Sequence, residues 1–194
     1  MRTSARRITL GDEASGVLRG FPYLLSLFLL ILFSCAVTRE GTPPAVTHLI
    51  EDVPFYPQEA YQCGPSALAG VLNYWGVDVS PQQIAVEIYS ESARGTLDMD
   101  MVLYAQKKNR EVRHYEGGLE DLRTNIDSGY PLIVLVDHGF WIYQKNHFMV
   151  VVGYSDDGVV VNSGKNRLKT LALRGFLQSW RRTKFWTLLI TPKQ

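Results

Sequence analysis

A chain of 194 residues with 46% hydrophobic and 11% aromatic content is long enough to bury one core and short for two, and it is too apolar for a disordered tail. Its formal net charge of +1 supplies none of the basic field that nucleic-acid binders carry, which argues against that class of partner. It contains only two cysteines, Cys35 and Cys63, so the use made of each is informative.

In chain order, Arg2, Arg6, Arg7 and Arg19 precede the run FPYLLSLFLLILFSC, whose apolar part is short for a membrane span and suited to the h-region of an export signal. Its end, LFSC, resembles the lipobox of bacterial lipoproteins, with Leu32 three residues before Cys35 and small Ser34 just before it. The resemblance implies removal of residues 1–34 as a signal peptide and acylation of Cys35. The alternatives are a plain signal peptide or an uncleaved anchor. Ala36 after the cysteine, in place of Asp, implies sorting to the periplasmic face of an outer membrane where the host has one. Removing residues 1–34 takes away four basic and two acidic side chains and leaves the remainder at about −1. Residues 35–50, with Gly41 and the pair Pro43-Pro44, read as a lipid-anchored tether, and 51–194 as one folded domain.

If Cys35 carries lipid, Cys63 is left unpaired in an oxidising compartment, where a thiol is either buried as a small hydrophobe or used. Its context, CGPSALAGVLNYWG, places Ala67, Leu68, Val71, Leu72 and Trp75 at helical spacing and ends on Gly76, a C-terminal stop. Cys63 then falls at a helix N-terminus, where unpaired amides and the helix dipole favour the thiolate and lower the pKa. Gly64 reads as a gap beside a bound peptide, and Pro65 sits where a helix tolerates a missing N–H. Acyl transfer also needs donors for the developing oxyanion. The side-chain amide of Gln58 is a candidate beside the Cys63 N–H, with Gln62 as a second.

Further on, SPQQIAVEIYS begins with Ser80 as N-cap and Pro81 at the first helical position, LDMDMVLYAQKKN gives a second helix, and GLEDLRTNIDSG a third that ends at Gly129. The apolar runs PLIVLV, HFMVVVGY and GVVVNSG read as adjoining strands with a turn at SDDG. LRGFLQSWRR reads as a short helix and KFWTLLIT as a closing strand. Helices come mainly first and strands later, the α+β arrangement. Of four histidines, His48 lies near the tether, His114 follows a charged stretch and His138 lies in the loop DHGFW. His147 opens the long apolar strand, where a polar ring needs a partner or a task. No phosphate-binding loop, dinucleotide fingerprint or metal-binding motif occurs, so no cofactor is indicated.

Together VPFYPQEAYQCGPSALAGVLNYWG and PLIVLVDHGFWIYQKNHFMVVVGYSDDGVVVNSG resemble the bacteriocin-leader-processing cysteine peptidases, family thirty-nine of the cysteine peptidases, and their stand-alone relatives, over about Val53 to Thr191. The resemblance implies a papain-like fold with N-terminal helices packed on a mainly antiparallel C-terminal sheet. It implies a peptide or protein substrate, Cys63 as nucleophile, His147 as base and Gln58 as oxyanion donor. That family usually shows an Asp just after the strand that follows the His. Here the chain reads VVVNSG, with Asn162 the nearest equivalent by type and spacing and Ser163 the other occupant of that place. The expected function is therefore a cysteine peptidase of the bacterial envelope, anchored through Cys35. The alternatives are a cell-wall amidase or acyltransferase of the NlpC type, and a weak or inactive peptide-binding module.

Overall fold

The computed structural model describes residues 47–58, 62–140 and 142–193. The expectations for the signal peptide, the lipobox and most of the tether fall on residues outside this set. Among the described residues no helix is long and apolar enough to cross a membrane.

Helix α1 (Cys63–Tyr74) is buried on every side from Gly64 to Leu72, which makes it the centre of the helical layer and not a surface helix. It ends where Gly76 takes φ +77°, as the glycine stop predicts. Helix α2 (Pro81–Ile88) starts in a full capping box: Gln83 N donates to Ser80 Oγ, and Ser80 N donates to the Gln83 side chain. Helices α3 (Asp98–Lys107), α4 (Leu119–Asp127) and α5 (Leu173–Arg181) lie close to their expected positions.

The main sheet has seven strands: β1 (His48–Leu49), β4 (Arg110–Glu116), β5 (Leu132–Asp137), β6 (Asn146–Tyr154), β7 (Gly158–Ser163), β8 (Asn166–Ala172) and β9 (Trp186–Pro192). Its order is β4-β9-β5-β6-β7-β8, with β1 on the far end of β6, and every pairing is antiparallel. Strands β2 (Tyr89–Ser90) and β3 (Gly95–Thr96) form a separate small hairpin. The mixed helix and antiparallel sheet of the papain-like class is present. Both sheet faces are covered: α1 packs on β6 while α5 packs on β5 and β7, and all of β5 and Phe148–Gly153 of β6 are buried.

Strands β4 and β8 were not anticipated. Both are edge strands, with exposed and half-buried positions interspersed and charged residues outward, so neither makes an apolar run.

One close approach fixes the chain that leads to the site. A Cβ on Gly70, in the middle of α1, would lie 2.8 Å from the Pro54 carbonyl oxygen, a backbone atom that cannot step aside cheaply. Gly70→Ala is expected to cost about 1–3 kcal/mol of stability, read as a lower Tm, because α1 and the segment running to Gln58 must move apart.

Candidate active site

Four segments converge at the start of α1. Cys63 is the first residue of the helix, partly buried and not in a disulfide. The N-cap Gln62 makes no side-chain cap bond and the first turn holds no acid, so the first-turn amides remain for charge developing at the sulfur. The backbone amides of Phe148, Gly64 and Cys63 itself lie close enough to the sulfur to favour its charged form. Phe148 follows His147 in β6, so this contact sets the thiol against the strand end that carries the imidazole. On the adjoining strand, Ser163 Oγ lies 2.9 Å from His147 Nε2 in a hydrogen bond whose donor is set by the ring tautomer. The next carbonyl, Gly164 O, accepts from the Gln58 amide at 2.9 Å. Cys63, His147, Ser163 and Gln58 are thereby linked in one series of contacts. The Gln58 side-chain Oε1 is buried with no hydrogen-bond partner among the described residues.

Three expectations need correction. The side chain that meets the imidazole is Ser163, not Asn162. Successive residues of a strand point to opposite faces, and Asn162 pairs across from Val150, one alternation away from the His147 face. Asn162 is 4% exposed and accepts from the Leu168 amide at 2.9 Å. Leu168 has φ +52° at the point where the β7–β8 register shifts, so the Asn162 carbonyl serves an amide that the bulge takes out of the ladder. Gly64 is not an open gap either, since a Cβ there would lie 2.8 Å from Thr96 Cβ of the small hairpin. The residue is small because β3 packs against the helix start.

The third correction concerns charge. Burial holds the Cys63 thiol above its ordinary pKa, against the downward pull of the three amides. Burial also pushes His147 down to about 4, helped by the charges of His138 and Lys145. Near neutral pH Cys63 is therefore a thiol and His147 a neutral imidazole, where the helix terminus alone suggested a thiolate. The sequence shows the dipole but not the depth of burial that outweighs it.

Sequence reasoning left His138 as a loop residue, yet its ring centroid lies 5.7 Å from that of His147. The loop that carries it is held at the neck by Asp137, a side chain 3% exposed. Asp137 Oδ1 accepts from the amides of Gly139 and Lys145 at 2.7 and 2.8 Å, and Oδ2 pairs with Arg182 Nη2 at 2.9 Å. Arg182 Nη1 also donates to the Gly139 carbonyl at 2.6 Å. Burial works to raise the Asp137 pKa, but the two amides and the guanidinium prevail and hold it below the usual carboxylate range. The one sequence signal for this clasp was a carboxylate ending the otherwise apolar run PLIVLVD.

A buried helix opening on a cysteine, laid against an antiparallel sheet whose central strand carries a histidine next to its start, is the arrangement of the papain-like fold. The chain belongs to the Peptidase_C39 like family, whose profile matches residues 50–187. Its fold is similar to that of a C39-like peptidase from Bacillus anthracis, with a TM-score of 0.64 at 17% identity, covering 76% of this chain and 98% of that one. It is also similar to a double glycine motif protease from an AMS/PCAT transporter in complex with the leader peptide, with a TM-score of 0.60 at 23% identity, covering 78% and 99%. At such identities the likeness is one of fold. An uncharacterized protein of Methanothermobacter thermautotrophicus is 29% identical over 115 residues, 59% of this chain and 73% of that protein.

Proposed function

We propose that this protein is a cysteine peptidase of the bacterial cell envelope, held at the membrane by acylated Cys35 after removal of residues 1–34, which hydrolyses peptide bonds through Cys63 and His147. The reading is supported by a free thiol at the start of a helix that packs on β6, an imidazole near the start of β6 with a partner on Nε2, and the Gln58 backbone held to Gly164 beside that partner. The family and fold supply the reaction class. The relative solved with its leader peptide supports a peptide as substrate.

In the proposed mechanism Ser163 Oγ accepts from Nε2–H, which leaves Nδ1 unprotonated. Nδ1 takes the proton of Cys63 as the sulfur attacks the substrate carbonyl carbon, and the new oxyanion is met by the Cys63 amide and the Gln58 side chain. Collapse breaks the C–N bond, and the imidazolium returns its proton to the departing amine. Water then attacks the thioester carbon as His147 takes its proton, the C–S bond breaks to release the acid, and His147 returns the proton to the sulfur. Because the ground state is a neutral pair, proton transfer accompanies attack and does not precede it.

The test is to incubate the full-length protein with a mixture of unrelated peptides and identify new termini by mass spectrometry, with Cys63→Ser as the blank. New termini in the wild type that are absent from the blank support the reading, and identical product sets refute it. Detergent phase partitioning of Cys35→Ala tests the anchor separately. Gln58→Ala is expected to lower kcat about 10²-fold with little change in KM. A larger loss in Gln62→Ala would move the oxyanion donor to that residue.

A further inference from the structure

We propose that the loop between β5 and β6, residues 138–145, docks on an anionic lipid bilayer through Phe140, Ile142 and Tyr143 and sets the mouth of the catalytic site against the membrane. These three side chains are 82%, 75% and 76% exposed, a cluster of large apolar groups at one hairpin tip. Scattered exposed apolar residues are ordinary, but a concentrated group marks a contact surface. The neck of the loop is fixed by the Asp137 clasp and closed by the His138 amide donating to the Lys145 carbonyl at 2.9 Å, so both arms leave the sheet from a held base.

Shape and charge decide the occupant. Side chains three-quarters exposed or more are projections, and a bound peptide wants hollows for its own side chains, whereas the bilayer interface accepts projecting Phe, Ile and Tyr without a matching cavity. At the base of the loop the charge is positive. Lys145 and Lys169 are exposed, both bear on His138 electrostatically, and neither has an ion-pair partner among the described residues. The one acid at the neck, Asp137, is buried and paired with Arg182. An apolar tip above an uncompensated basic collar is the chemistry that binds anionic headgroups while the tip enters the acyl boundary. His147 stands at the foot of the same hairpin, in register with Val136, so a docked loop would bring the catalytic pair to the bilayer surface.

The experiment uses full-length protein bearing Cys63→Ser, so that its outcome is independent of whether the site cleaves peptides. An environment-sensitive fluorophore is attached through Ile142→Cys, or through Val86→Cys as a control at an 89% exposed position on α2. The Cys63→Ser protein alone supplies the background from Cys35. In vesicles containing phosphatidylglycerol, the probe at 142 is expected to shift to the blue and to be quenched by brominated acyl chains, while the probe at 86 is not. Lys145→Gln with Lys169→Gln is expected to lower the inserted-to-free ratio about 30-fold, from two lysines at an anionic surface. A probe at 142 that stays aqueous on these vesicles overturns the proposal. So does a probe that is buried without vesicles in a concentration-dependent way, which would make the loop a contact between copies. If the probe stays aqueous and Phe140→Ser with Ile142→Ser and Tyr143→Ser, made in the protein that retains Cys63, raises KM for a soluble peptide, the loop is a peptide contact and the membrane is not its partner.

Discussion

Replacing His147 with alanine is expected to lower kcat/KM by about 10⁴-fold at neutral pH, the scale seen when a nucleophile loses its correctly oriented base. The size follows from the charge state of the pair. Burial keeps the Cys63 thiol above its ordinary pKa, so at pH 7 almost none of it is thiolate without help. His147, pushed down to about 4, is neutral across the physiological range and therefore ready to take the proton during attack. Removing the ring removes the acceptor and leaves a protonated nucleophile. The residual activity of His147→Ala should then climb as pH rises toward and past the thiol pKa, because hydroxide does what the ring did. The wild type should instead stay active as pH falls, losing activity only as the imidazole protonates near 4. The measurement is the pair of pH–rate profiles on one peptide. A wild-type acid limb near the ordinary histidine value would show that burial does not set the ring's charge.

Much of this architecture could be read from residue order, for identifiable reasons. The runs PLIVLV, HFMVVVGY and GVVVNSG are continuous apolar stretches because β5, β6 and β7 are covered on both faces, and such strands announce themselves by composition. Ser80-Pro81 and Gly76 mark helix ends through local chemistry that tertiary packing does not alter. Strands β4 and β8 escaped notice because each has a neighbour on one side only and carries its charges outward. At the site, Cys63 and His147 could be singled out as a lone thiol at a helix start and a polar ring at the mouth of an apolar strand. Their setting could not. Whether residue 162 or 163 faces the imidazole depends on which side of the sheet the strand shows at its end, and a one-residue difference reverses the answer. The depth of burial that sets both pKa values, the Phe148 amide at the sulfur and the Asp137–Arg182 clasp join residues far apart in the chain, and no local pattern carries them.

Ser163→Asp is expected to raise the reactivity of Cys63 toward a thiol alkylator by about 10- to 100-fold between pH 6 and 8. Ser163 Oγ is the atom that meets His147 Nε2, and it carries no charge. It satisfies the ring nitrogen but gives the imidazolium no counter-charge, which is one reason nothing offsets the burial and the neighbouring His138 and Lys145 charges that push His147 down to about 4. A carboxylate at hydrogen-bond distance typically moves a partner's pKa by about 1–3 units toward the charged form. For His147 that means upward, so the imidazolium becomes populated across a window that the wild type spends neutral. An imidazolium beside Cys63 in turn lowers the thiol pKa, and the thiolate–imidazolium pair becomes the resting state. Alkylation should then show a plateau near neutral pH where the wild type shows only a rise into the alkaline range. Ser163→Ala should move the opposite way, because Nε2 loses its hydrogen-bond partner and the ring is no longer held in place. Asn162→Ala should leave the pH profile in place and lower stability by about 1–3 kcal/mol, since it strands the Leu168 amide in the β7–β8 bulge. If Asn162→Ala shifts the alkylation profile and Ser163→Ala does not, the orienting role belongs to Asn162 and the ring must turn from its Ser163 contact when the enzyme works.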